Sequence, residues 1–139
     1  MEITSAALQT VANGQNVLFT ETPVSGSACV VHREGSGIIT LRGQTNQCRA
    51  RYRVSFGANI AVPDGGTAGA ISVALALNGE PLAASTAIVT PTAAAAFFNV
   101  SLDTFVEVPR GCCVTVAVEN TRGADISVQN ANLIAERVC

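Results

Sequence analysis

The chain has 139 residues, enough for one domain that buries roughly two-thirds of its unfolded surface. Hydrophobic residues make up 48% and charged residues 13%, against about a quarter charged in ordinary soluble domains, so some apolar surface is expected to meet another chain in an oligomer. A formal net charge of −2 leaves no electrostatic footprint for nucleic acid, and no apolar run reaches the roughly 20 residues that cross a bilayer.

In chain order, short apolar and β-branched segments are divided by Gly, Pro, Asn and Asp, which predicts strands and no helix. The start, Met-Glu-Ile-Thr, lacks the basic patch and apolar stretch of a secretion signal, and assembly inside a cell is expected. Residues 1–10 read either as a first strand or as an arm. In the second case Ile3, Ala6, Ala7 and Leu8 are candidate anchoring residues, because an apolar segment with few charges can add to a partner's sheet edge. Strands are expected over 6–11 and 16–20, split by the turn dipeptide Asn13-Gly14, and over 38–41 after a loop holding His32 and Gly35.

The clearest strand covers 49–56, with Arg49, Arg51, Arg53 and Ser55 on one face and Ala50, Tyr52, Val54 and Phe56 on the other. Such alternation marks a sheet with one buried and one polar face. Beyond the Pro63-Asp64-Gly65-Gly66 turn, Ile71, Val73, Leu75 and Leu77 form an apolar face. The small residues opposite them, Ser72, Ala74 and Ala76, are the candidate trimer interface. Further strands are expected over 87–90, 97–108, 113–119 and 125–134, the last carrying Asn130 and Asn132 as a buried polar layer or a bulge. Eight to ten antiparallel strands in two sheets make an all-β sandwich or barrel, and residues 1–139 read as a single domain.

Five cysteines, Cys29, Cys48, Cys112, Cys113 and Cys139, form no C-x-x-C pair. Cysteine packs as a small hydrophobe, so reduced and mostly buried thiols are expected, with a bridge between subunits through Cys139 as the alternative. All eight basic residues are arginine, the cation that interfaces favour.

Several of these segments resemble the trimeric jelly-roll modules related to tumour necrosis factor and the globular heads of complement. They are Asn16-Val17-Leu18-Phe19, Gly37-Ile38-Ile39-Thr40-Leu41, Tyr52-Arg53-Val54-Ser55-Phe56, Val73-Ala74-Leu75-Ala76-Leu77-Asn78-Gly79 and Val128-Gln129-Asn130-Ala131-Asn132-Leu133. The bacterial and phage branch, including the C-terminal domains of collagen-like exosporium glycoproteins, is the nearer likeness. The wording at 32–37 and 41–48 is similar to small proteins of Firmicutes phages and prophages. This resemblance implies a jelly-roll β-sandwich and a homotrimer. The 139 residues contain no Gly-X-Y repeat, so a compact trimer is expected rather than a stalked surface protein.

Chemistry is sparsely equipped. His32 is the single histidine, in a glycine-flanked loop where a bracing role is expected. No metal-ligand spacing or phosphate-binding glycine loop occurs, so neither catalysis nor a cofactor is expected. Arg49, Arg51 and Arg53 repel one another unless acidic partners lie nearby. They are a candidate polar contact strip, for a particle surface or an acidic glycan, or else a solvated face with Glu21, Glu34, Glu107 and Glu119 as candidate partners. The expectation is a phage virion protein, a trimeric capsid decoration or cementing protein that meets the major capsid protein or another virion protein. The rivals are a receptor-binding or fibre-tip module and a spore or cell-surface module.

Overall fold

The computed structural model describes residues 1–26 and 28–138. In chain order it contains β1 (Glu2–Ser5), β2 (Gln9–Val11), β3 (Glu21–Val24), β4 (Val30–His32), β5 (Ile39–Arg42) and β6 (Arg49–Ala61). After these come β7 (Ile71–Leu77), β8 (Glu80–Pro81), β9 (Ala87–Val89), β10 (Phe98–Pro109), β11 (Cys113–Asn120) and β12 (Ile126–Val138). A 3-10 turn occupies Ala83–Ser85. No helix among the described residues is long and apolar enough to cross a membrane.

The strands build two antiparallel sheets, as a jelly roll requires. The first runs β10-β6-β12-β1-β3, with β2 also on β12; the second runs β4-β5-β11-β7-β8, with β9 also on β7. Alternation decides which face turns inward. From the first sheet, Leu102, Phe56, Leu133 and Ile3 lie in one row across β10, β6, β12 and β1, and all four are buried. Ile39, Leu41, Val73, Leu75, Val116 and Val118 of the second sheet are buried in the same core. Burying each such side chain contributes roughly 1.5–3 kcal/mol.

Turn chemistry follows the sequence. Asn78 and Gly79 adopt φ of 52° and 84°, the left-handed pair that a tight hairpin needs, and they join β7 to β8. The asparagine pair near the end resolves as a bulge: the β12–β6 register shifts between Gln129 and Asn132, and Asn130 takes φ 54°.

Several expectations are corrected. Ile3 belongs to no projecting arm: β1 is hydrogen-bonded between β12 and β3, and Ile3 is 1% exposed. Ala6, Ala7 and Leu8 are exposed at the bend between β1 and β2. The 16–20 strand is absent apart from an isolated bridge between Asn16 and Glu119. Val17 and Phe19 are nevertheless fully buried. The Phe19 N–H donates to Ser36 O and its carbonyl accepts from Gly35 N–H, so the segment plugs the core from a loop. Its ring meets Phe56 edge-on at 6.4 Å.

The small-residue face of β7 is not open to a neighbour. Ala74 and Ala76 are 0% and 1% exposed within the subunit, with Ala76 lying between Ala117 and Pro81 of the flanking strands. A methyl group is too short to rise above such neighbours. Ser72 is half-buried, its hydroxyl 2.6 Å from that of Thr121.

The thiols depart from expectation too. Cys48, Cys112 and Cys113 are exposed and Cys29 is half-buried; Cys139 lies outside the described residues. Backbone hydrogen bonds gather them at one end of the sandwich: Arg42 N–H donates to Cys29 O, Gly43 N–H to Cys112 O and Arg110 N–H to Cys48 O.

Candidate functional site

The outer face of the first sheet carries the most organised polar side chains. Register places Arg51 opposite Glu107, Arg53 opposite Phe105 and Ser55 opposite Asp103, all between β6 and β10. Across β6 and β12, Arg53 faces Glu136 and Ser55 faces Ile134. Because side chains alternate, every one of these residues points away from the core.

The arginines, with Lys-free composition around them, find their acidic partners on the next strand. Arg53 grips Asp103 in a two-pronged contact, Nη2 to Oδ2 at 2.6 Å and Nε to Oδ1 at 3.1 Å. Ser55 Oγ donates to the same Oδ1 at 3.0 Å. Glu107 serves two guanidiniums, accepting from Arg49 and, at 3.0 Å, from Arg51. Arg51 also lies 5.9 Å from the centre of the Phe105 ring, within reach of a cation–π attraction. Of the carboxylates expected to pair, Glu107 does so, while Asp103 had carried no sequence signal.

These contacts shift ionisation. The Arg53 guanidinium, aided by Ser55, holds the Asp103 carboxyl below its ordinary value, and Arg49 with Arg51 does the same to Glu107. A carboxylate with a depressed folded pKa stabilises the fold above its unfolded pKa and loses that contribution as pH falls through the folded value. Acid destabilisation should therefore begin near the ordinary values, 4.5 for glutamate and 3.8 for aspartate. Asp103→Asn with Glu107→Gln should flatten the acid limb of a plot of melting temperature against pH. An unchanged limb would show that these pairs do not couple to folding.

The outer face also carries exposed apolar groups. Phe105 is 61% exposed, Val24 54% and Ile134 37%. Ile134, Glu2 and Val24 share one row across β12, β1 and β3. Beside Ile134, a dimple of about 280 Å³ opens over Gly57, bordered by Ser101, Asp103 and Asn132.

Among the described residues, no group of three or more His, Cys, Asp or Glu side chains could hold a metal ion. His32 Nε2 sits 2.9 Å from Ser36 O, so the ring braces its loop.

No family model and no curated protein sequence matches the chain. Among solved structures, it is similar to the globular domain of zebrafish complement 1qA, with TM-score 0.58, 13% identity, and 96% and 93% of the two chains covered. It also matches the C-terminal domain of EclA, a sugar-binding protein, with TM-score 0.42, 18% identity, and 95% and 80% covered. A family 35 carbohydrate-binding module from an environmental isolate matches with TM-score 0.42, 8% identity, and 100% and 98% covered. The complement likeness establishes a shared jelly-roll fold at a sequence identity too low to carry more.

Proposed function

We propose that this chain is a non-catalytic structural module of a virion, a homotrimer that decorates and cements an assembled capsid. The observation that carries the trimer is the outer face of the first sheet, where Phe105, Ile134 and Val24 are exposed around tied-down ion pairs. A threefold ring closes through heterologous contacts, each joining one patch to a different patch of the next subunit. The Phe105 ring and the dimple over Gly57 supply a projection and a hollow on the same face. Aromatic and arginine side chains side by side, as in Arg51 over Phe105, are the composition that interfaces favour.

The virion setting rests on the wording of residues 32–37 and 41–48 and is independent of the fold. A protein that binds the assembled shell, and not its free subunits, stabilises that shell by mass action. Ala6, Ala7 and Leu8, exposed at the β1–β2 bend, remain candidates for shell contact.

Co-sedimentation tests the decoration reading. The purified protein should pellet with emptied shells of its source phage, saturate on them, and raise the temperature at which they come apart. It should leave unassembled major capsid protein in the supernatant. Binding to tails alone would replace decoration with the receptor-binding alternative.

A further inference from the structure

We propose that a second site, a polar cleft at the cysteine-bearing end of the sandwich, binds a carboxylated saccharide. This inference goes beyond the structural role above; the two share Arg51, so Arg137 and residues 44–47, away from Phe105, carry its test.

The cleft lies where the 44–47 loop rises beside the start of β6 and the end of β12. It has a volume of about 920 Å³, at the upper end of the roughly 300–1,000 Å³ typical of small-molecule sites. Three guanidiniums border it, from Arg49, Arg51 and Arg137, together with the amide and hydroxyl side chains of residues 44–47.

Its charge is unbalanced in one direction. Glu107, the carboxylate that Arg49 and Arg51 share from the β10 side, does not border the cleft. Among the described residues, the lining carries three positive groups and no acidic side chain. Planar guanidiniums engage carboxylates through paired N–H donors, a match that a point charge lacks.

The arginines are also held in place. Glu107 fixes Arg49 and Arg51, and Arg137 donates through Nη1 to Gln44 O and to Cys29 Sγ. Groups ordered before binding lose less entropy on binding.

The remaining lining selects the ligand class. Gln44, Asn46 and Gln47 offer paired amide donors and acceptors, and Thr45 a hydroxyl, which suit the hydroxyl groups of a sugar. No aromatic side chain among the described residues borders the cleft, so nucleobases find no stacking platform. Ala50 and Val138 are its apolar members, too little surface for a hydrophobic peptide. A hydroxyl-rich ligand with carboxylates fits both halves of the lining.

Trigalacturonate is the probe, titrated into the full chain at low salt and followed by NMR amide shifts and calorimetry. Saturable shifts should centre on residues 44–51 and 137–138, and affinity should fall steeply with added salt, because exposed charge contacts are screened. The carboxyl-reduced trisaccharide should fail to bind. Arg137→Gln and Arg49→Gln should each weaken trigalacturonate about tenfold or more, since a charge-assisted contact is lost. Arg33→Gln, away from the cleft, should leave binding unchanged. Should Arg137→Gln disturb the fold, Gln47→Ala, on the exposed loop, reads the same site. Three results would overturn the proposal: no saturable shifts, equal binding of the neutral trisaccharide, or affinity indifferent to both arginine variants. Binding of a heparin tetrasaccharide without binding of trigalacturonate would also overturn it, in favour of a sulfate site. Loss of trimer formation or of shell binding, with trigalacturonate still bound, would sink the structural role and leave this site standing.

Discussion

Phe19→Ala is expected to cost about 3–5 kcal/mol, the range for truncating a buried aromatic ring. Phe19 is fully buried although it sits in no strand. Its ring packs edge-on against Phe56 of β6, and both its backbone groups are tied to the 35–36 turn. Nothing regular can slide over to fill the space, so the cavity persists and adds to the transfer loss. For a domain of this length the melting temperature should fall by about 10–17 °C. Leu18→Ala is the control: Leu18 is 48% exposed in the same segment and should change the melting temperature little. Equal effects at the two positions would mean that the segment does not plug the core.

Deleting residues 1–5 should be at least as damaging. It removes β1, which joins β3 to β12 across the first sheet, and with it the buried side chains of Ile3 and Ser5. The edge of β12 over Ala131–Ile134 then loses its partner, and β3 loses its only sheet neighbour among the described strands. Losing a buried strand should exceed about 4 kcal/mol, beyond the ordinary effect of a point substitution. Thermal unfolding followed by circular dichroism should show a much lower or vanished transition, with oligomeric state and shell binding lost together. A truncated protein that melts normally but no longer binds shells would restore the anchoring-arm reading of residues 1–10.

The alternation at 49–56, 71–77 and 113–119 was enough to read the sandwich, because a period of two has one physical cause. The shorter strands were not legible. β3 and β4 are four and three residues long, too brief to alternate visibly, and Pro23 within β3 argues against a strand until it is seen on an edge. Phe19 reads as part of a strand because burial and hydrogen-bonded pairing look alike in a short apolar run.

The site was legible in part. Arg49, Arg51 and Arg53 announced a shared face, and Glu107 was named among their partners, but Asp103 needed the β6–β10 register to be found. Alternation separates two faces and is silent on which of them another element already screens. For that reason the sequence pattern alone presents Ser72, Ala74 and Ala76 as an open contact surface. The grouping of the cysteines is equally hidden in the sequence: residues 29, 48 and 112 come together through backbone contacts of loops distant in sequence.

The proposed homotrimer meets through the outer face of the first sheet, and sedimentation equilibrium reads its mass. The parent chain should have three times the subunit mass of 14.2 kDa. Phe105→Asp should give the single-subunit mass with its β-sheet circular dichroism intact, because Phe105 points out of the sandwich. A parent that stays at 14.2 kDa at every concentration, or a Phe105→Asp variant that remains trimeric, would contradict it.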